Sequence, residues 1–147
     1  MAISQGLTTT FKVNLLNGAE NFTGTSPYVY KIALYDATAS LDSTTTAYTS
    51  SNEITGTGYT AGGQVITPIA PASDTSANVA YVSFNNVTWS PAVFTCRGAL
   101  IYNSTTGAAV CVLNFGSDKS ATSTFTDRKS TRLNSSHIPL SRMPSSA

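Results

Sequence analysis

Hydrophobic and polar positions alternate along most of this chain, and the alternating runs are separated by short, turn-rich gaps. Successive side chains of a strand point to opposite faces, so a period of two marks a strand with one buried face. Phe11, Val13 and Leu15 alternate with Lys12 and Asn14, which predicts a half-buried strand closed by the Asn17-Gly18 turn signal. The stretch YVYKIALYD (Tyr28 to Asp36) is apolar on both parities, with Tyr30, Ile32 and Leu34 on one and Val29, Ala33 and Tyr35 on the other. That pattern predicts a central strand covered on both sides. Ala37 to Glu53 has no period and reads as a long connection with a short strand near Tyr48. GTGYTAGG (Gly56 to Gly63) reads as a turn whose glycines supply positive φ, anchored by Tyr59. QVITPIA (Gln64 to Ala70) is a short strand, and Pro68, which has no N–H, belongs at a sheet edge or a bulge. Ala70 to Asn78 reads as a loop.

In VAYVSFNNVTW (Val79 to Trp89), Val82 and Phe84 share one parity, while Val87 and Trp89 share the other. One extra residue near Asn85-Asn86 brings all four to one face, so a β-bulge or bend is predicted there. VFTCRGALIYN and AAVCVLNFG flank Ser104-Thr105-Thr106-Gly107 and predict a β-hairpin with a loop of four or five residues. TSTFT (Thr122 to Thr126) opens one more strand. No segment carries a convincing amphipathic helical pattern. The chain is therefore expected to be all-β, an antiparallel β-sandwich of roughly six to eight strands.

Composition sharpens this picture. Only 10% of residues are charged, against an ordinary share of about 25%. Residues 1–126 carry Lys12, Lys31, Arg97 and Lys119 against six acids, a net charge of −2, while residues 127–147 carry a net charge of +3 and the single histidine, His137. The body is slightly acidic and has no basic stripe, which argues against a nucleic-acid groove. The N-terminus lacks the pattern of a secretion signal, and no apolar run approaches the roughly 20 residues of a membrane span. Folding in a cytoplasm, with Cys96 and Cys111 reduced, is the expectation.

The C-terminal stretch breaks every trend of the body. DRKSTRLNSSH (Asp127 to His137) resembles a translated short-read sequencing adapter, and SRMPSSA (Ser141 to Ala147) is similar to the adapter beyond its index. Ile138-Pro139-Leu140 falls where the variable index sits. The resemblance implies one native β-sandwich domain at 1–126 and a non-native, disordered tail at 127–147. It also implies that the C-terminal strand opened by Thr122 is truncated, leaving an edge that invites association. His137 and the tail cations then have no evolved role.

Without the tail the body has no histidine, which excludes Ser-His-Asp and Cys-His arrangements and the usual zinc sets. A symmetric hairpin puts Cys111 opposite Leu100, four residues from Cys96 on the same face. That is about 13 Å along a strand, too far for a disulfide, so two buried thiols are expected. GTGYTAGG lacks the Lys-Ser/Thr ending of a phosphate loop. Asp36 and Asp42 lie in a Thr/Ser-rich loop without calcium-loop spacing; solvated acids are the simpler reading, and a weak Ca²⁺ site stays open. No catalytic, cofactor-binding or metal-ligating residue is expected. Arg97 interrupts an apolar strand, either as an interface anchor or as the partner of an acid such as Glu53 or Asp118, or by reaching to the sheet rim. Trp89 is either a core residue or a sugar-stacking platform, with Tyr48 and Tyr59 as companions on the surface.

The start MAISQGLTTTFKVNLLNG, the strand YKIALYDATASL, the segment TAYTSSNEITGTGYTAGG and the block VTWSPAVFTCRGALIYN…AVCVLNFGSDKS resemble small virion structural proteins of tailed bacteriophages. The resemblance covers nearly all of residues 1–126. It implies a non-enzymatic protein that decorates or cements a capsid or forms part of a tail, located in the virion after assembly in the host cytoplasm. Its partners would be other virion proteins and copies of itself, not nucleic acid or membrane. The alternative is a carbohydrate- or receptor-binding β module of a tail fibre.

Overall fold

The computed structural model describes residues 2–23, 27–127 and 133–134. Among these residues the elements are β1 (Gly6–Leu7), α1 (Thr9–Leu16), β2 (Tyr30–Tyr35), β3 (Gln64–Ile66), β4 (Pro68–Asp74), β5 (Val79–Phe84), β6 (Val87–Trp89), β7 (Phe94–Asn103), β8 (Ala109–Ala121), β9 (Phe125–Asp127) and β10 (Leu133–Asn134). They form a five-stranded sheet in the order β1-β8-β7-β2-β3, a three-stranded sheet β10-β5-β4 and the pair β6-β9. Every strand pairing is antiparallel. The chain is an all-β sandwich.

The double-sided strand is β2, between β7 and β3. Tyr30, Ile32 and Leu34 enter the main core with Ile101, Leu113 and Phe115, beneath Val82, Phe84, Val87, Trp89 and Phe125 from the small sheets. Ala33 and Tyr35 face the other way, into a second cluster with Ile3, Leu41, Leu100 and Val112. The five-stranded sheet is thus covered on one side by strands and on the other by the N-terminal segment and the long connection. Burial on both faces explains why β2 reads as a continuous apolar run. The chain bends at Asn85-Asn86, between β5 and β6, and all four flanking apolar residues join the main core as the parity change requires. Pro68 opens β4, an edge strand, where its missing N–H costs no sheet hydrogen bond.

Five expectations are corrected. Residues 9–16 are helical, not extended. Thr8 caps the helix: its hydroxyl accepts the Phe11 N–H at 3.1 Å and donates to the Ala109 carbonyl at 2.8 Å. The alternation there does not report burial, because only Phe11 is buried while Val13 and Leu15 are 50% and 47% exposed. Ala70 to Asp74 belong to β4 rather than to a loop, with a register shift between Ile69 and Ala72. Cys111 lies opposite Ile101, not Leu100, because the register slips by one residue before Tyr102. Both cysteines are nevertheless buried thiols outside any disulfide. Finally, β8 runs on to Ala121, well past Gly116. The short strand expected near Tyr48 reduces to a single bridge, Ala47 to Ala108. The expectation of a disordered tail lies mostly outside the described residues; within them, Asp127 pairs with Val87, and Leu133 and Asn134 pair with Val82 and Tyr81.

Candidate functional site

The long connection between β2 and β3 has few apolar residues with which to dock on the sheet. Tyrosine hydroxyls supply the missing attachment, and they converge on Glu53. Glu53 Oε1 accepts the Tyr59 hydroxyl at 2.6 Å and the Gly62 N–H at 2.6 Å, and Oε2 accepts the Tyr48 hydroxyl at 2.5 Å. The Tyr59 oxygen in turn accepts the Leu34 N–H of β2 at 2.9 Å. Tyr102 on β7 donates to the Gly62 carbonyl at 2.7 Å, and its ring stacks on Tyr48 with centroids 4.7 Å apart. Tyr35 donates to the Thr49 carbonyl at 2.6 Å. Two strands of the sheet thus hold the connection at several points.

The electrostatics fit a staple rather than a reactive centre. Burial, followed by the hydrogen bond to Glu53, raises the Tyr59 and Tyr48 hydroxyls above the ordinary tyrosine range. Burial and the nearby Glu53 charge do the same for Tyr35. Each hydroxyl therefore keeps its proton and stays a donor.

Of the four residues singled out in the sequence, the structure brings three together. Tyr48 and Tyr59 share Glu53, and Tyr59 packs against Trp89 with centroids 6.3 Å apart. Trp89 is not a surface residue: it is 1% exposed and packs against Phe94 and Phe125, which removes it as a stacking platform. Arg97 lies elsewhere. A register irregularity between Cys96 and Gly98 sets it opposite the stretch Phe115 to Asp118, and its Nε donates to Asp118 Oδ1 at 2.7 Å in an exposed pair. Its acid is Asp118, not Glu53.

The glycine-rich turn owes its composition to packing. Gly58 and Gly63 have φ of +83° and +74°, and a Cβ on them would lie 1.6 Å from the Pro91 carbonyl oxygen and 1.8 Å from that of Ile32. Glycine is needed for both reasons, backbone angle and close approach. The loop acids also read structurally. Asp36 Oδ1 accepts the Thr38 N–H at 2.7 Å, and Asp42 Oδ1 accepts the Thr44 N–H at 2.7 Å, each closing its own turn. The Thr44 hydroxyl and N–H hold the Asp42 carboxyl below its usual range. Among the described residues no group of three or more His, Cys, Asp or Glu is placed to hold a metal ion.

A second carboxylate escaped the sequence reading. Glu20 is 7% exposed, and its Oε2 accepts the Tyr30 hydroxyl at 2.6 Å and the Asn103 amide at 3.1 Å. It joins the segment after α1 to the tip of the β7–β8 hairpin. Its Oε1 has no hydrogen-bond partner among the described residues. The only sequence signal was an isolated acid in an almost uncharged stretch, and the same holds for Glu53. No family model, curated protein or solved structure matches this chain.

Proposed function

We propose that this chain is a non-enzymatic structural protein of a phage virion, a capsid-decorating or tail component working through protein–protein contacts. The observation that carries the reading is where its polar side chains are spent. Glu20, Glu53 and the tyrosines around them are turned onto one another and fasten loops to the sheet. What faces outward includes large aliphatic residues on α1 (Leu16) and on the edge strands β3 (Val65) and β4 (Ile69). Exposed aliphatics leave apolar surface that a protein partner could cover. The sequence resemblance to virion proteins points the same way. The carbohydrate-binding alternative retains only Tyr48 and Tyr59, whose hydroxyls are engaged on Glu53, so a glycan array is expected to be silent. Purified recombinant chain added to particles assembled without it should sediment with them; protein left at the top of the gradient would overturn the proposal.

A further inference from the structure

Asn17-Gly18 is the one Asn-Gly pair in the sequence, and it closes α1. Asn17 has φ −81° and ψ −5°, and Gly18 follows with φ +71°. The Ala19 N–H donates to the Asn14 carbonyl at 2.7 Å, and the Gly18 N–H donates to the Leu15 carbonyl at 3.2 Å. Such a pair of bonds commonly ends a helix on a left-handed glycine. Backbone angle therefore explains Gly18. It also sets a reactive side chain beside it, because both residues are exposed.

A glycine leaves its own nitrogen unshielded, and nothing lies within 4 Å of where a Cβ on Gly18 would sit. Its nitrogen is the nearest backbone nucleophile to the Asn17 amide. When it attacks Asn17 Cγ, the N–Cγ bond forms and the Cγ–Nδ2 bond breaks. Ammonia leaves with the Gly18 amide proton, and a five-membered succinimide remains. Water then adds to either ring carbonyl and opens the ring to aspartate or isoaspartate. The folded turn holds this reaction off. Ring closure needs the Gly18 nitrogen nearly eclipsed with Asn17 Cβ about the Asn17 Cα–C bond. At ψ −5° it eclipses the Asn17 nitrogen instead, and Cβ stands a tetrahedral step away. Rotating ψ that far carries the Gly18 and Ala19 N–H groups off the Leu15 and Asn14 carbonyls.

We propose that Asn17 is a site of spontaneous deamidation that reacts only when the last turn of α1 opens. Aspartate there places a negative charge at a helix C-terminus, where the macrodipole disfavours it. Isoaspartate adds a carbon to the backbone, so the two closing bonds do not return in register. Conversion therefore weakens the turn that had restrained it. It falls beside Leu16, which is 89% exposed and among the outward aliphatics of the proposed contact surface. The inference goes beyond the virion reading and stands without it, since it needs only the turn and the chemistry of the pair.

The test incubates the full chain in mildly alkaline buffer, native in one arm and unfolded in guanidinium in the other. Peptide mapping by mass spectrometry, with aspartate and isoaspartate resolved, follows position 17 over time. The expected result is conversion in both arms, slower in the native chain by roughly tenfold or more, the effect of two hydrogen bonds that must break first. Leu16→Gly changes an exposed side chain and loosens the last turn, so it should raise the native rate severalfold and leave the unfolded rate as it was. The proposal is overturned if Asn17 converts as fast in the native chain as in the unfolded one, or fails to convert when unfolded. It is equally overturned if Leu16→Gly leaves the native rate unchanged, an absence of conversion in both native chains included. None of these outcomes bears on the sedimentation test of virion association.

Discussion

Replacing Glu53 with alanine removes the acceptor of three donors, the Tyr48 and Tyr59 hydroxyls and the Gly62 N–H. A hydrogen bond to a charged group contributes about 1.5–3 kcal/mol. The three do not add in full. Tyr48 and Glu53 are half-buried, so part of what is lost returns as hydration. Counting one full bond for Tyr59 and about half each for the other two gives a loss of roughly 3–6 kcal/mol. With a urea m-value of about 1–3 kcal/mol/M, the midpoint should fall by roughly 1–6 M at unchanged m. E53Q retains an amide oxygen for Tyr59 and should lose only about 1 kcal/mol. Y59F removes one of the same bonds and strands the Leu34 N–H, so it should lose about 2 kcal/mol. Because both changes break the Tyr59–Glu53 bond, the double variant E53A/Y59F should fall short of additivity by about 1–2 kcal/mol. The readout is equilibrium urea unfolding followed by far-ultraviolet circular dichroism. A loss below about 0.5 kcal/mol for E53A, the level of an ordinary surface change, would refute the staple.

Four further outcomes can be measured. Tyr35, Tyr48 and Tyr59 hold their protons more tightly folded than unfolded. Above about pH 10 the unfolded chain therefore binds fewer protons, and stability should fall as pH rises; urea midpoints from pH 8 to 11 measure this, and a flat profile contradicts it. Gly63→Ala should cost more than about 3 kcal/mol or prevent folding, because backbone strain adds to the clash with the Ile32 carbonyl. Gly107→Ala has the same strain at φ +84° but open space, and should cost about 1–2 kcal/mol in thermal or urea unfolding. Arg97→Ala removes an exposed ion pair and should cost less than about 1 kcal/mol, with the difference shrinking further in high salt.

What the sequence disclosed depended on whether side-chain parity tracked burial. It did at β2, where two buried faces left an unbroken apolar run, and at Asn85-Asn86, where the parity change marked the bend. It did not at residues 9–16. There, the Thr8 cap and its bond to β8 decide the local structure, and an exposed Val13 and Leu15 mimic a strand's alternation. The hairpin was legible, but its register was not, since the residue added at Val110 leaves no mark in a uniformly apolar run. For the site, the aromatic residues stood out by type, while their meeting point did not. Glu53 lies five residues from Tyr48 and six from Tyr59, and only the folded connection turns both hydroxyls onto one carboxylate.

The central claim is that this protein belongs to the assembled virion. Quantitative mass spectrometry of gradient-purified particles that carry this gene tests it most directly. The account predicts peptides from residues 1–126 at a fixed copy number per particle, co-fractionating with the major capsid or tail proteins. Peptides confined to the lysate and absent from the particles would contradict it.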